Sequence, residues 1–217
     1  ALNGLLKKFH EDGRTNEEIE YDRNIEIHKY SYYYYEDGKI KSKVPYKDDK
    51  KDGILTEWYE NGQKEDELTY KDGELDGVAI AWHKNGQKKR ESNFTNGIEN
   101  GLRTEWHKNG QKRKELTYKD GELDGVAIVW RMNGQKEDEL TYKDGELDGV
   151  AIAWHRNGQK KGEGTYKEGK EDGLITIWYE NGQKERDENF TEGARDGKST
   201  MWYEDGQIEE EGNFING

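Results

Sequence analysis

The chain contains no Cys, a single Pro (Pro45) and four Ser among 217 residues. Without Cys there is no disulfide framework, no zinc finger and no thiol nucleophile. Ser31, Ser42, Ser92 and Ser199 lie in no nucleophile elbow and beside no His–Asp pair of the kind serine catalysis requires. No stretch approaches the 18 or so consecutive apolar residues of a membrane-spanning helix. No basic-then-apolar segment at the start has the form of a secretory signal, and residue 1 is Ala rather than Met. Apolar residues are also scarce, 29% against 38% charged, and 48 Asp+Glu outnumber 35 Lys+Arg to give a net charge of −13. Such a composition often marks disorder. It argues against a nucleic-acid or anionic-membrane surface and for a basic partner.

What is present argues for order. Aromatics reach 12%, with seven Trp, beside 27 Gly. Trp58, Trp82, Trp106, Trp130, Trp154, Trp178 and Trp202 are each separated by 24 residues. Tyr70, Phe94, Tyr118, Tyr142, Tyr166, Phe190 and Phe214 follow them at a fixed offset, and Gly53 to Gly197 precede them at another. After each Trp comes Asn-Gly-Gln, from Asn61-Gly62-Gln63 to Asn181-Gly182-Gln183, then Asp205-Gly206-Gln207. Tyr34-Tyr35-Glu36-Asp37-Gly38 and Phe9-His10-Glu11-Asp12-Gly13 extend the pattern upstream in weaker form. Repeats of this length indicate tandem structural units. The reading is a single repeat domain over 1–217: two degenerate N-terminal repeats, 1–50, acting as a cap, and seven regular 24-residue repeats, 51–217. Asn216-Gly217 falls on a unit boundary with no evident cap: either the sequence is cut there or that edge is used in assembly. Lys64 to Ile80 recurs unchanged at Lys136 to Ile152, three units on, so part of the regularity reflects copying.

Asn-Gly between alternating runs predicts a hairpin with a type I′ turn. Alternation puts Val78, Ile80 and Trp82 on one strand face, and Leu68 and Tyr70 on one face of the return strand, with Glu65, Glu67 and Thr69 opposite. Each unit is then a hairpin with an apolar and a charged face, too small to stand alone. The expected fold class is all-β, an elongated stack of about nine tandem β-hairpins.

Trp58-Tyr59-Glu60-Asn61-Gly62-Gln63-Lys64 followed by Tyr70-Lys71-Asp72-Gly73 resembles the MORN repeat in its bacterial variant form. The resemblance covers nearly the whole chain and implies tandem hairpins in a long twisted sheet or groove, with a bulged link between units. The expected localisation is the cytoplasm of a bacterial cell. Bacterial members are often labelled antitoxin-like, and MORN repeats elsewhere are credited with lipid or protein binding.

The search for chemistry yields little. His83, His107 and His155 share one repeat column, about 10 Å apart, too far to converge on a metal ion; half-exposed packing is the expected role. Asp72-Gly73-Glu74-Leu75-Asp76-Gly77 has acids at positions 1, 3 and 5 of a calcium loop, but its twelfth position is His83, so turn chemistry is expected. No phosphate loop appears. No catalytic residue, cofactor or metal is expected, and no enzyme activity.

One column stands out: Glu67, Glu91, Glu115, Glu139, Glu163, Asp187 and Glu211. It reads as a solvated face or as an acidic strip for a basic groove. Asp52, Asp76, Asp124, Asp148, Asp172 and Asp196 form a second row, and Lys64, Lys88, Lys112, Lys136, Lys160 and Lys184 are placed to offset the field. In Tyr30-Ser31-Tyr32-Tyr33-Tyr34-Tyr35, alternation assigns Tyr32 and Tyr34 to the core face and leaves Tyr33 and Tyr35 for a partner or for cap packing. The expected function is a non-enzymatic inhibitor whose acidic repeats occupy the nucleic-acid channel of a basic protein. The nine-unit acidic stack resembles anti-CRISPR proteins that block a type VI RNA-guided RNA nuclease. The alternative is a scaffold module of the cell envelope. Direct nucleic-acid binding and membrane binding are not expected, the latter because of charge repulsion.

Overall fold

The computed structural model describes residues 3–23 and 25–215; Asn216-Gly217, where an assembly edge was expected, lies outside them. All regular structure in these residues is β-strand. Nine turns between His10–Arg14 and Tyr203–Gln207 each reverse the chain, one per sequence unit. The chain falls into two compact units, one of residues up to Gly101 with Glu105–Gly110, the other of Leu102–Thr104 with residues from Gln111 onward.

The first unit contains the hairpins Gly4–Phe9/Thr15–Asp22, Ile25–Tyr34/Ile40–Lys47, Gly53–Trp58/Lys64–Lys71 and Glu74–Trp82/Lys88–Thr95, all antiparallel. In the second unit, antiparallel pairs run from Gly125–Trp130/Lys136–Lys143 through Glu146–Trp154/Lys160–Lys167 and Gly173–Trp178/Lys184–Thr191 to Ala194–Trp202/Ile208–Phe214.

The turn chemistry differs from expectation. At Asn-Gly the Gly62 amide bonds to the Tyr59 carbonyl (2.8 Å), the Tyr59 amide bonds to the Gln63 carbonyl (2.9 Å), and only Gly62 has positive φ. This is a three-residue loop with a left-handed glycine closing it. The Asn61 side chain accepts from the Gln63 amide at 3.1 Å, which explains the Asn. The type I′ geometry lies in the links instead. Asp72 (φ 50°) and Gly73 (φ 98°) form a two-residue turn between the paired residues Lys71 and Glu74. Asp72-Gly73 is therefore a turn and Glu74 onward is strand, as the turn reading of this segment required.

The assignment of faces is also corrected. Thr56 pairs with Glu67, Glu67 with Ile80, and Ile80 with Glu91. Directly paired residues share a face, so the acid column stands on the Ile80–Trp82 face. The opposite face carries Leu55, Leu68, Ala79 and Ser92, paired in that order. Simple alternation fails because the regular hairpins carry register shifts at two places, one beside Trp and one at the glycine five residues before it, as at Trp58 and Gly77. Gly77 there has φ +117°, and a Cβ would lie 3.1 Å from Thr69 Cγ2. Conformation and space both require glycine at this site. The Leu55–Ala79 face of the first unit buries Leu55, Ala79 and Ala81, and the equivalent column positions of the second unit bury Ala127 and Ile175.

Candidate functional site

The face carrying the acid column is a ladder of ion pairs. Lys88–Glu91, Lys136–Glu139 and Lys160–Glu163 pair at 2.5 Å and Lys184–Asp187 at 2.6 Å, with Lys64–Glu67 and Lys112–Glu115 in the same arrangement. Each of these Lys also places its Nζ 5.5–5.9 Å from the ring centre of the next unit's Trp, from Lys64 on Trp82 to Lys184 on Trp202. Cation–π attraction and a partly exposed ion pair each contribute modestly, but together they fix the Lys over an aromatic and neutralise the acid. Glu211 differs. The residue three before it is Ile208, and it pairs with Lys198 at 2.8 Å. The column is therefore charge-compensated along its length, as the Lys row allowed.

The residue after each Trp has one repeated role. Tyr35, Tyr59 and Tyr179 donate their hydroxyls to the carbonyls of Trp58, Trp82 and Trp202 at 2.6–2.8 Å. His83 and His155 place Nε2 3.1 and 2.7 Å from the Trp106 and Trp178 carbonyls. Since a carbonyl only accepts, Nε2 carries the proton. Arg131 donates to the Trp154 carbonyl at 2.6 Å. Tyr, His and Arg are interchangeable here because each extends a donor to the neighbouring backbone. Asn side chains reinforce this edge: Asn61, Asn85, Asn157 and Asn181 donate to a backbone carbonyl of the next turn at 2.6–2.9 Å.

Several of the acids in the second row serve the link turns. Asp52, Asp76 and Asp148 accept from the Asp72, Asn96 and Glu168 amides at 3.3–3.5 Å. Among the described residues no group of three His, Asp or Glu is placed to hold a metal ion.

In the tyrosine cluster, Tyr32 donates to Glu18 (2.6 Å) and Tyr34 to the Thr15 carbonyl (2.7 Å), with Arg14 over the Tyr34 ring. Burial, then the Glu18 bond, pushes the Tyr32 phenol well above its ordinary pKa. Tyr33 is 50% exposed, whereas Tyr35 is tied to Trp58. Of the two tyrosines proposed for contact, only Tyr33 presents a half-open ring.

Sequence reasoning missed Glu188. It occupies the column of Leu68 and Leu140, its side chain is 3% exposed, and it is flanked by Arg195 at 2.9 Å and Arg186 at 3.3 Å. Arg195 also lies over the Phe214 ring. Alignment of position 188 with the Leu column was the available signal.

Charge is unevenly distributed. Residues 171–217 hold thirteen Asp and Glu against four Lys and Arg, whereas 75–122 hold seven against ten. Burial, then the carboxylates of Glu185, Glu209 and Glu204, raise the Tyr179 pKa. Glu185, Glu204, Glu209 and Glu210 have no cation within ion-pair distance among the described residues.

The MORN repeat variant family matches residues 28–48, 51–72, 75–96, 99–120, 147–168, 171–192 and 195–216. The match includes the second N-terminal unit and passes over 123–144, where Arg131-Met132 replaces the Tyr-Glu, His-Lys or His-Arg of the other Trp-bearing units. No curated protein sequence matches the chain. With seven repeats matched over well more than half its length, the chain belongs to the MORN repeat variant family.

Proposed function

We propose that this protein is a non-enzymatic inhibitor that binds a basic nucleic-acid-handling protein through acidic repeats, in the manner of an antitoxin or an anti-CRISPR protein acting on an RNA-guided nuclease. Repeats of this family are generally protein-interaction or membrane-binding modules, on a fold that is typically non-enzymatic. The supporting observation is the uncompensated charge of the last two units: Glu185, Glu204 and Glu209 around Tyr179, with Glu210 on the same strand as Glu209. The Glu67–Asp187 ladder is neutralised by its own Lys row, so these carboxylates replace it as the centre of the proposed contact. Charge of one sign steers a basic partner and sets orientation more than it sets affinity.

The test is binding to a purified type VI RNA-guided nuclease by calorimetry at about 50 and about 500 mM salt. Affinity should fall steeply with salt. The triple substitution Glu185→Gln, Glu209→Gln, Glu210→Gln should weaken binding by about tenfold or more at the lower salt. Affinity indifferent to both overturns the reading.

The row Val126, Val150 and Leu174, 43–47% exposed on the Trp face, favours the scaffold reading as second choice, because such a stripe is buried by a partner regardless of charge.

A further inference from the structure

Gly162 and Gly164 lie inside the strand Lys160–Lys167, and neither has positive φ or belongs to a turn. Glycine within a strand often marks the close approach of another group. At Gly164 that group is Ile175, whose Cδ1 occupies the space a Cβ would need. At Gly162 a Cβ would meet only Ile177 Cδ1, at 3.1 Å, among side chains. Around these glycines is a depression of about 210 Å³ lined by Leu140, Ala151, Ala153 and Ile175 and bordered by Asp138 and Tyr166. It suits one long side chain and is smaller than the roughly 300 Å³ or more of a drug-sized site.

The chain contains its own control. The identity of the two copied segments continues through His83 and His155, so Asp66 and Asp138 have the same local sequence. Asp66 pairs with Ala81, and Ala81 with Arg90. Asp138 pairs with Ala153, and Ala153 with Gly162. Arg90 is the foremost cation acting on Asp66. Asp138 feels Arg131 and Lys161, opposed by Glu137, and neither aspartate has an ion-pair partner among the described residues. In the first copy Arg90 stands across Ala81 from Asp66, which also pairs with Glu57; in the second, glycine takes the place of Arg90, Val129 takes the place of Glu57, and the carboxylate stands beside an aliphatic floor with Arg131 and Lys161 as its cations.

We propose that the Asp138–Gly162 depression receives an arginine side chain of the protein partner, with its methylenes on the aliphatic floor and its guanidinium on Asp138. This rests on the reading that the partner is a basic protein. Arginine matches both parts of the depression, since its stem is apolar and its planar head pairs with carboxylates.

The test is an NMR titration of the full chain with Nα-acetyl-arginine amide, following backbone amides. Saturable shifts are expected at Ala153, Gly162 and Gly164. Asp138→Asn, which keeps the shape and removes the charge, should weaken binding about tenfold. Gly162→Arg, which restores the arrangement of the first copy, should abolish it. Absence of saturable shifts, or shifts that survive both substitutions, overturns the proposal. If the amide binds as described but no basic protein does, the depression stands and the partner reading fails. A basic protein that binds the parent and Gly162→Arg equally overturns this site and leaves the partner reading intact.

Discussion

Two stretches of this chain, Lys64–His83 and Lys136–His155, are identical over twenty residues yet have different surroundings. In the first, Ala79 and Ala81 are buried, at 4% and 7% exposure. In the second, Ala151 and Ala153 are only half-buried. The backbone register is the same; the difference lies in the next strand, which offers Ser92 and Arg90 to the first pair and Gly164 and Gly162 to the second. Burial in this sheet is set by the residue on the neighbouring strand as much as by the repeat's own sequence. Large residues here often have a small one on at least one side: Leu68 faces Ala79 although Leu55 lies on its other side, Leu140 faces Ala151, and Gly164 makes room for Ile175.

The strongest way to break this comparison is to refill the second copy. Gly164→Leu places a side chain where Ile175 already sits and should cost about 2–3 kcal/mol by overpacking. Adding Ile175→Ala should recover much of the loss, because it rebuilds the Leu–Ala pair present at Leu140 and Ala151. Urea denaturation of the parent, both single variants and the double variant measures the coupling. Additive losses would show that the two residues do not share the space.

The reverse transplant is milder. Arg90→Gly with Ser92→Gly should cost about 1–2 kcal/mol, from two glycines in a strand. It should also give the first copy a depression that binds Nα-acetyl-arginine amide, read as new shifts at Ala79 and Ala81. A stable variant without those shifts would show that glycine alone does not create the site.

Much of the fold was legible because its signals are local. The 24-residue spacing of Trp, the Asn-Gly turns and the alternating runs around them point to tandem hairpins. The faces were not legible. A period of two survives only along an unbroken ladder, and the bulges at Gly77 and beside Trp82 change which residues pair. The chemistry of the turns was misassigned for a similar reason. Asn-Gly and Asp-Gly both permit positive φ, and loop length, rather than composition, gave the tighter turn to Asp72-Gly73. The Lys–acid pairing could be anticipated from adjacent columns. The buried Glu188 was open only to alignment with the Leu68 column, since by composition it is one more acid among many; its carboxylate lies between Arg195 and Arg186.

The smallest effect tests the electrostatic half of the comparison. Burial raises the pKa of both Asp66 and Asp138. A carboxyl whose folded pKa exceeds its unfolded one binds its proton more tightly when folded. Stability is therefore lost as pH rises from the ordinary Asp range through the raised folded pKa, and the loss remains at neutral pH. Removing the charge should reverse that loss: Asp138→Asn should be more stable than the parent at pH 7, and the difference should vanish below the ordinary Asp range, near pH 3. Asp66→Asn should gain less, because Arg90 already offsets part of the burial there, and in an Arg90→Gly background its gain should rise toward that of Asp138→Asn. Urea midpoints at the two pH values decide the point. Equal gains at both aspartates would show that Arg90 does not compensate Asp66, and the contrast between the two copies would then rest on packing alone.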